Sequence, residues 1–262
     1  MENAAMKTTL IKKVFWFWML VSVLQFNVAF ASSLGVWPIN PRIDAPASSA
    51  LIWVKNNNKT EPVVLQARVF LWRQLDNNDQ LIPQDDVVVS PPIIEVKADA
   101  QQIFRVMNRQ GVIQNATEEK SYRVLIDEVP KEEKAQDSLL RFQMRYSLPL
   151  FVGLPDAVAA KPMPDRLKQM ATGLRYRVTQ APEPFLEINN NNFLHARLSK
   201  VAIANAQPDD KPLLISQGLL GYILPNSTRR WPLTSEQLGA IKNGSVITFE
   251  QEHQELIIVA EK

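Results

Sequence analysis

The side chains that could support acid–base or metal chemistry are few and dispersed. The chain has two histidines, His195 and His253, with no partner at a ligand spacing. It has no cysteine, which removes thiol catalysis, disulfide staples and thiolate-bound metals. Asp85-Asp86 and Asp209-Asp210 fall in polar, turn-like segments and read as turn chemistry rather than acid–base pairs. Eight glycines form neither a nucleophile elbow nor a phosphate-cradling loop. The expectation is a protein that is not an enzyme, with no cofactor and no small-molecule substrate.

The remaining chemistry is that of a strand. In residues 139–151, Leu140, Phe142, Met144, Tyr146, Leu148 and Leu150 share one face of a period-2 pattern, while Arg141, Gln143, Arg145 and Ser147 share the other. The run is long, and it ends at Gly153-Leu154-Pro155-Asp156, a plausible domain boundary. An apolar, basic-flanked strand beside a hinge suggests a surface that lends a strand to something else. Alternation alone does not say whether the apolar row faces the domain's own core or a partner.

Residues 1–31 read as a cleaved signal peptide, with Lys7, Lys12 and Lys13 before an apolar stretch from Val14 to Val23 and a small-x-small site at Ala29-Phe30-Ala31. That segment holds three of the 29 basic residues and one of the 27 acidic ones, so the remaining 231 residues carry 26 of each. A neutral mature surface gives no electrostatic argument for nucleic acid or anionic membrane as a partner.

Short β-branched and aromatic runs recur between clusters of Asn, Asp, Pro and Gly, the pattern of an all-β protein. Leu34 to Ile43 reads as a first strand that Pro38 and Pro41 confine to an edge or make switch partners. Ala50–Val54, Val63–Trp72, Val87–Val89, Gln102–Met107, Tyr122–Val129 and the strand at 139–151 complete a first set of seven. An immunoglobulin-like sandwich over 32–152 follows. Beyond Gly153 the pattern restarts more weakly. Residues 153–165 read as a stiff linker or irregular strand because of Pro155, Pro162 and Pro164, and 153–262 as a second, smaller sandwich. Residues 235–241 allow one helical turn.

Several blocks resemble the periplasmic chaperones of the chaperone–usher pathway, the PapD-like proteins that assemble pili and fimbriae. These are Val54 to Trp72 with its Asn turn and proline, Ser90-Pro91-Pro92, Phe104-Arg105-Val106 and Asp127-Glu128-Val129-Pro130. Trp37-Pro38-Ile39 and Met144 to Phe151 are most similar to the archaic branch, whose subunits resemble spore coat protein U. The resemblance covers about residues 34–152 well and the second domain loosely. It implies two immunoglobulin-like β-sandwich domains in a boomerang arrangement, a periplasmic location, and capture of pilus subunits by donor-strand complementation before delivery to an outer-membrane usher.

The resemblance also implies site residues. Leu140, Phe142 and Met144 would fill the subunit's groove. Arg42 and Arg145 would bind its terminal carboxylate, with Arg141 in reserve, because an arginine fork suits a carboxylate. A free chaperone could hide the same strand by self-association. The competing reading is a secreted two-domain structural or adhesin-type sandwich. A carbohydrate-binding module built on Trp53, Trp72 or Trp231 is a third, though these tryptophans lie in or beside apolar strands and read as core.

Overall fold

The computed structural model describes residues 34–130, 143–180, 182–205 and 211–261. The signal-peptide stretch, Leu140, Arg141 and Phe142 lie outside them. Among the described residues no helix is long and apolar enough to cross a membrane.

The prolines near the start divide one expected strand into two. β1 (Leu34–Trp37) pairs antiparallel with β3 (Ser49–Asn56), and β2 (Arg42–Ile43) crosses to the other sheet, so the strand does switch partners. The first sheet runs β1-β3-β8-β6, with β6 (Val87–Ser90) and β8 (Gln101–Asn108). The second runs β2-β10-β9-β4-β5 and comprises β4 (Val63–Leu75), β5 (Asn78–Pro83), β9 (Lys120–Glu128) and β10 (Arg145–Val152), with β7 (Ile93–Val96) also on β4. The two sheets enclose Ile52, Val54, Leu65, Phe104, Val106, Val124, Ile126 and Leu150.

Asn56 locks the turn after β3 from inside. Its side-chain amide donates to the carbonyls of Glu61 (2.8 Å), Val96 (3.2 Å) and Lys97 (3.3 Å), and its carbonyl accepts from the Asn58 amide (3.0 Å). A buried amide so satisfied fixes backbone that would otherwise lose its partners.

Residues 153–165 are not an irregular strand. α1 (Asp156–Ala159) and α2 (Met163–Thr172) occupy this region. Proline is tolerated in a first helical turn because its missing N–H has no intrahelical partner there. Pro164 sits in that turn, and Leu167, Met170 and Ala171 form the buried face. Gly173 ends α2 where Asn192 leaves no room for a Cβ: one built there would meet the Asn192 side-chain nitrogen at 2.6 Å. That same nitrogen donates to the carbonyls of Gln169 (3.0 Å) and Met170 (3.1 Å), satisfying the helix end.

The rest is one continuous seven-stranded order, β14-β13-β16-β17-β11-β12-β15, folded around its own core. Its strands are β11 (Leu174–Thr179), β12 (Phe185–Asn190), β13 (Ala196–Ala204), β14 (Leu213–Ile223), β15 (Ser227–Pro232), β16 (Val246–Gln251) and β17 (Gln254–Ala260). α3 (Ser235–Ala240) is the expected helical turn and starts with a Thr234–Gln237 capping box. Asn190 repeats the device of Asn56, donating to the carbonyls of Leu194, Ile223 and Leu224. The fold is mostly β in two sheet regions, and the helices qualify the all-β expectation.

The tryptophans divide. Trp72 is buried, whereas Trp53 is only half-buried and stacks on exposed Trp37 at 6.4 Å, so it is not a core residue.

The burial pattern of β10 predicts different costs along one row. Leu150→Ala should lower unfolding stability by about 2–5 kcal/mol, as for other fully buried leucines. Met144→Ala should change it by less than about 0.5 kcal/mol. Urea midpoints measure both, and equal losses would show that the row is buried throughout.

Candidate functional site

β10 is an edge over most of its length. It pairs with β9 from Arg145↔Asp127 to Val152↔Lys120, but with β2 only at Phe151↔Arg42 and Val152↔Ile43. The flank from Arg145 to Leu150 therefore carries backbone groups with no strand partner among the described residues. Such a flank is a template for another strand.

The question of which row faces inward has a position-dependent answer. Tyr146, Leu148, Leu150 and Val152 point into the first core. Met144, next in the same row, is 44% exposed, although its carbonyl still accepts from the Glu128 amide (3.2 Å). The apolar row thus outlasts the core that buries it.

Arg42 and Arg145 are not brought together. Arg145 is at the far end of β10, six residues from Phe151, the residue that pairs with Arg42, which is about 20 Å of extended chain. It lines neither cavity described below, and it is ion-paired to Asp127, which also binds Arg68 at 2.8 Å. Burial would raise the Asp127 pKa, but these two arginines outweigh it and hold the carboxyl below its ordinary value. The two arginines expected to share a carboxylate therefore stand at opposite ends of β10, and only Arg42 lies beside a cavity.

Arg42 lies at the junction of the two sheet regions. Its Nε and one Nη2 hydrogen go to Asp44 (2.7 and 3.2 Å), and Nη1 lies 2.8 Å from Glu119. Glu119 is fully buried as a side chain and also accepts from His195 Nδ1 (2.5 Å) and the His195 amide (3.2 Å). The His195 ring stacks on Phe151 at 3.4 Å and an interplanar angle of 1°. Burial by itself would raise the Glu119 pKa, but His195 and Arg42 outweigh it and lower it. Burial likewise works against the charge of Arg42, and Glu119 and Asp44 more than compensate.

Two cavities open beside this cluster. One, of about 90 Å³, is lined by Arg42, Phe151 and Leu154 together with Leu167 and Met170 of α2, and by Leu194 and Arg197. The other, of about 430 Å³, lies along Ser147, Leu148 and Pro149 and has Arg123 and Arg197 in its walls. Arg123 lies over the face of Trp72 at 3.7 Å, and burial lowers its pKa against the opposing pull of Asp79 and Tyr222.

Sequence reasoning missed four of these residues. His195, which has no partner at a ligand spacing in the sequence, is half-buried on Glu119, whereas His253 lies in an exposed turn. Glu119 stands in a polar run with Glu118 and Lys120, so no local signal marks it as buried. Arg123 and Arg197 alternate within strands as solvent-facing residues would.

The sequence profile of the family described as pili and flagellar-assembly chaperone, PapD N-terminal domain, matches residues 42–159. Among solved structures, the chain is similar to one from the CsuC–CsuE chaperone–tip adhesion subunit pre-assembly complex of archaic Csu pili of Acinetobacter baumannii. The identity is 26% and the TM-score 0.65, over 88% of this chain and 100% of that one. The Escherichia coli chaperone DraB is 17% identical with a TM-score of 0.57, over 88% of this chain and 97% of that one. A chain of the Salmonella enterica SafA pilin–SafB chaperone complex is 18% identical with a TM-score of 0.58, covering 88% and 98%. These last two likenesses are of fold. No curated protein matches in sequence.

The buried pair makes a pH-dependent prediction. Glu119→Gln leaves Arg42 and His195 without their shared carboxylate and should cost about 3–5 kcal/mol. Because the folded-state pKa of Glu119 is lowered, its contribution is present above the ordinary carboxylate range and lost as pH falls through the folded value. Melting temperatures of wild type and variant should therefore converge in acid. A gap that stays constant from pH 7 to pH 3 would show that the ion pair contributes nothing.

Proposed function

The chain belongs to the PapD-type pilus chaperones of the chaperone–usher pathway, and from that premise we propose that it captures pilus subunits on the free flank of β10. The family is non-enzymatic, and its work is binding. The observation that carries the reading is an unpaired strand flank whose apolar row continues past its own core onto exposed Met144. A subunit sandwich lacking a strand exposes a groove and unpaired edges. A lent strand supplies the missing backbone hydrogen bonds while alternate side chains fill the groove. Met144 would be one such side chain; Leu140 and Phe142, the other two, lie outside the described residues.

The same flank dictates where a guest strand ends. β2 takes it over at Phe151, so a strand laid along β10 stops where β2 begins, at Arg42. A guest running parallel to β10 presents its terminal carboxylate there, and an antiparallel one would present an ammonium to a guanidinium. Asp44 takes two of the five guanidinium hydrogens and Glu119 sits 2.8 Å from Nη1, so both Nη groups keep hydrogens for a carboxylate. Residues 1–31 as a signal peptide support a periplasmic location. Subunits of the spore coat U type and delivery to an outer-membrane usher complete the reading, with the chain divided into domains at about residue 152.

Co-expression with a pilus subunit of the spore coat U type tests it. Met144→Glu should abolish co-purification of the subunit while the melting temperature stays within about 2 °C of wild type, as expected for an exposed site. Undiminished recovery of the subunit would overturn the assignment of β10 as the lent strand.

A further inference from the structure

The cavity beside Arg42 has a composition that strand lending does not explain. Apolar Leu154, Leu167, Met170, Leu194 and Phe151 line it together with Arg42, Arg166 and Arg197, which outnumber the two carboxylates there, Glu252 and the Glu119 already shared by Arg42 and His195. Arg166 donates to the carbonyls of Lys161 and Ala159 and makes no ion pair among the described residues. The Arg197 guanidinium makes neither a hydrogen bond nor an ion pair among them, although it also borders the larger cavity. An apolar lining with an excess of arginines is complementary to a group with an apolar body and a negative end.

The volume, about 90 Å³, sets the size of that body. An apolar cavity of about 150 Å³ takes benzene, so this smaller space suits a branched aliphatic group rather than an indole. Methionine in two lining positions, Met163 and Met170, gives the walls some adaptability. The location sets the identity. A strand on the free flank of β10 must stop at Arg42, so the last residue of the guest is the one that stands over this cavity.

We infer that this cavity receives the last side chain of the captured subunit and selects an aliphatic one, while Arg197, from the second sheet region, takes the role of second cation on the terminal carboxylate. The inference rests on the capture of a subunit strand proposed above. It makes subunit choice depend on the final residue, and it makes β13 a wall of the binding site. α2 exists in this scheme to close the pocket: Leu167 and Met170 are its buried face, and Asn192 clamps its end.

Fluorescein-labelled octapeptides of alternating valine and threonine, differing only at the end, separate the parts of the claim. A free leucine end should bind at least about tenfold more tightly than a glycine end or a leucine amide, the range that a filled apolar pocket and a satisfied charged group supply. Arg197→Gln should erase the difference between acid and amide. Leu154→Phe, which fills the cavity, should erase the difference between leucine and glycine. Melting curves of both variants report folding, and because each variant removes a different discrimination, a misfolded protein (which loses both) is recognised. Equal affinities for all three ends of the wild type, or no binding of any, would overturn the inference. Undiminished co-purification of the natural subunit in that case would leave the strand-lending function standing.

Discussion

A fully buried carboxylate, Glu119, is the constraint around which the site is arranged. Removing a charge from water costs several kcal/mol, and only well-placed opposite charge and hydrogen bonds repay it. Arg42 comes from β2 and His195 from the strand region that follows α2, so neutralising Glu119 ties three separate chain segments together. The backbone follows the same path, since the Glu119 amide donates to the Phe193 carbonyl at 3.0 Å. The consequence is positional. β2 is held against the end of β10, His195 is stacked on Phe151, and Arg42 stands where the free flank stops.

Around this charge the seam between the two sheet regions is closed by reciprocal contacts. Gln74 donates to the Tyr222 carbonyl (2.9 Å) and accepts from the Leu224 amide (2.9 Å). Asp76 and Asn77, both at positive φ, turn β4 into β5 in the manner of a two-residue hairpin. That turn projects Asn77 onto Arg230, whose amide it bonds at 2.7 Å and whose carbonyl it meets at 3.3 Å. Trp72, Phe151 and Leu224 form a small apolar cluster behind these bonds. A cleft held in this way is ordered before a guest arrives, so less of the binding free energy is lost to ordering it.

How much of this was legible beforehand depends on the range of the signal. The sandwich pattern, the partner switch at Pro38 and the turn at Asn56 are written in local spacing, and the structure agrees with them. The helices at 156–172 were also written locally, but three prolines drew attention from the apolar spacing of Leu167, Met170 and Ala171. The site itself is different. Arg42 was reached only through the family resemblance. Glu119, His195 and Arg197 acquire meaning from residues more than seventy positions away, and nothing in a single sequence links them. The separation of Arg145 from Arg42 has the same origin, because a residue's row within a strand says nothing of how far along the strand the second sheet region begins.

The free flank also has to avoid pairing with the wrong partner, and β10 addresses this with its own sequence. The amides of Phe151 and Gly153 donate toward β2, so the odd-numbered backbone groups face the β2 side, and on Arg145, Ser147 and Pro149 they face the free flank. Proline has no N–H, so the flank lacks one donor at Pro149, close to the point where β2 takes over. Arg145 and Ser147 are the exposed side chains beside it. A proline and a charged residue are common ways of discouraging indiscriminate edge pairing. In the proposed mode of capture, a guest strand that tolerates the missing donor would compensate through the contacts that remain: the apolar row beginning at Met144 at one end, and its own terminal carboxylate at Arg42 at the other. On that proposal the gap in the ladder at Pro149 would transfer selectivity from the backbone, which every strand shares, to the two ends of β10, where side chains decide.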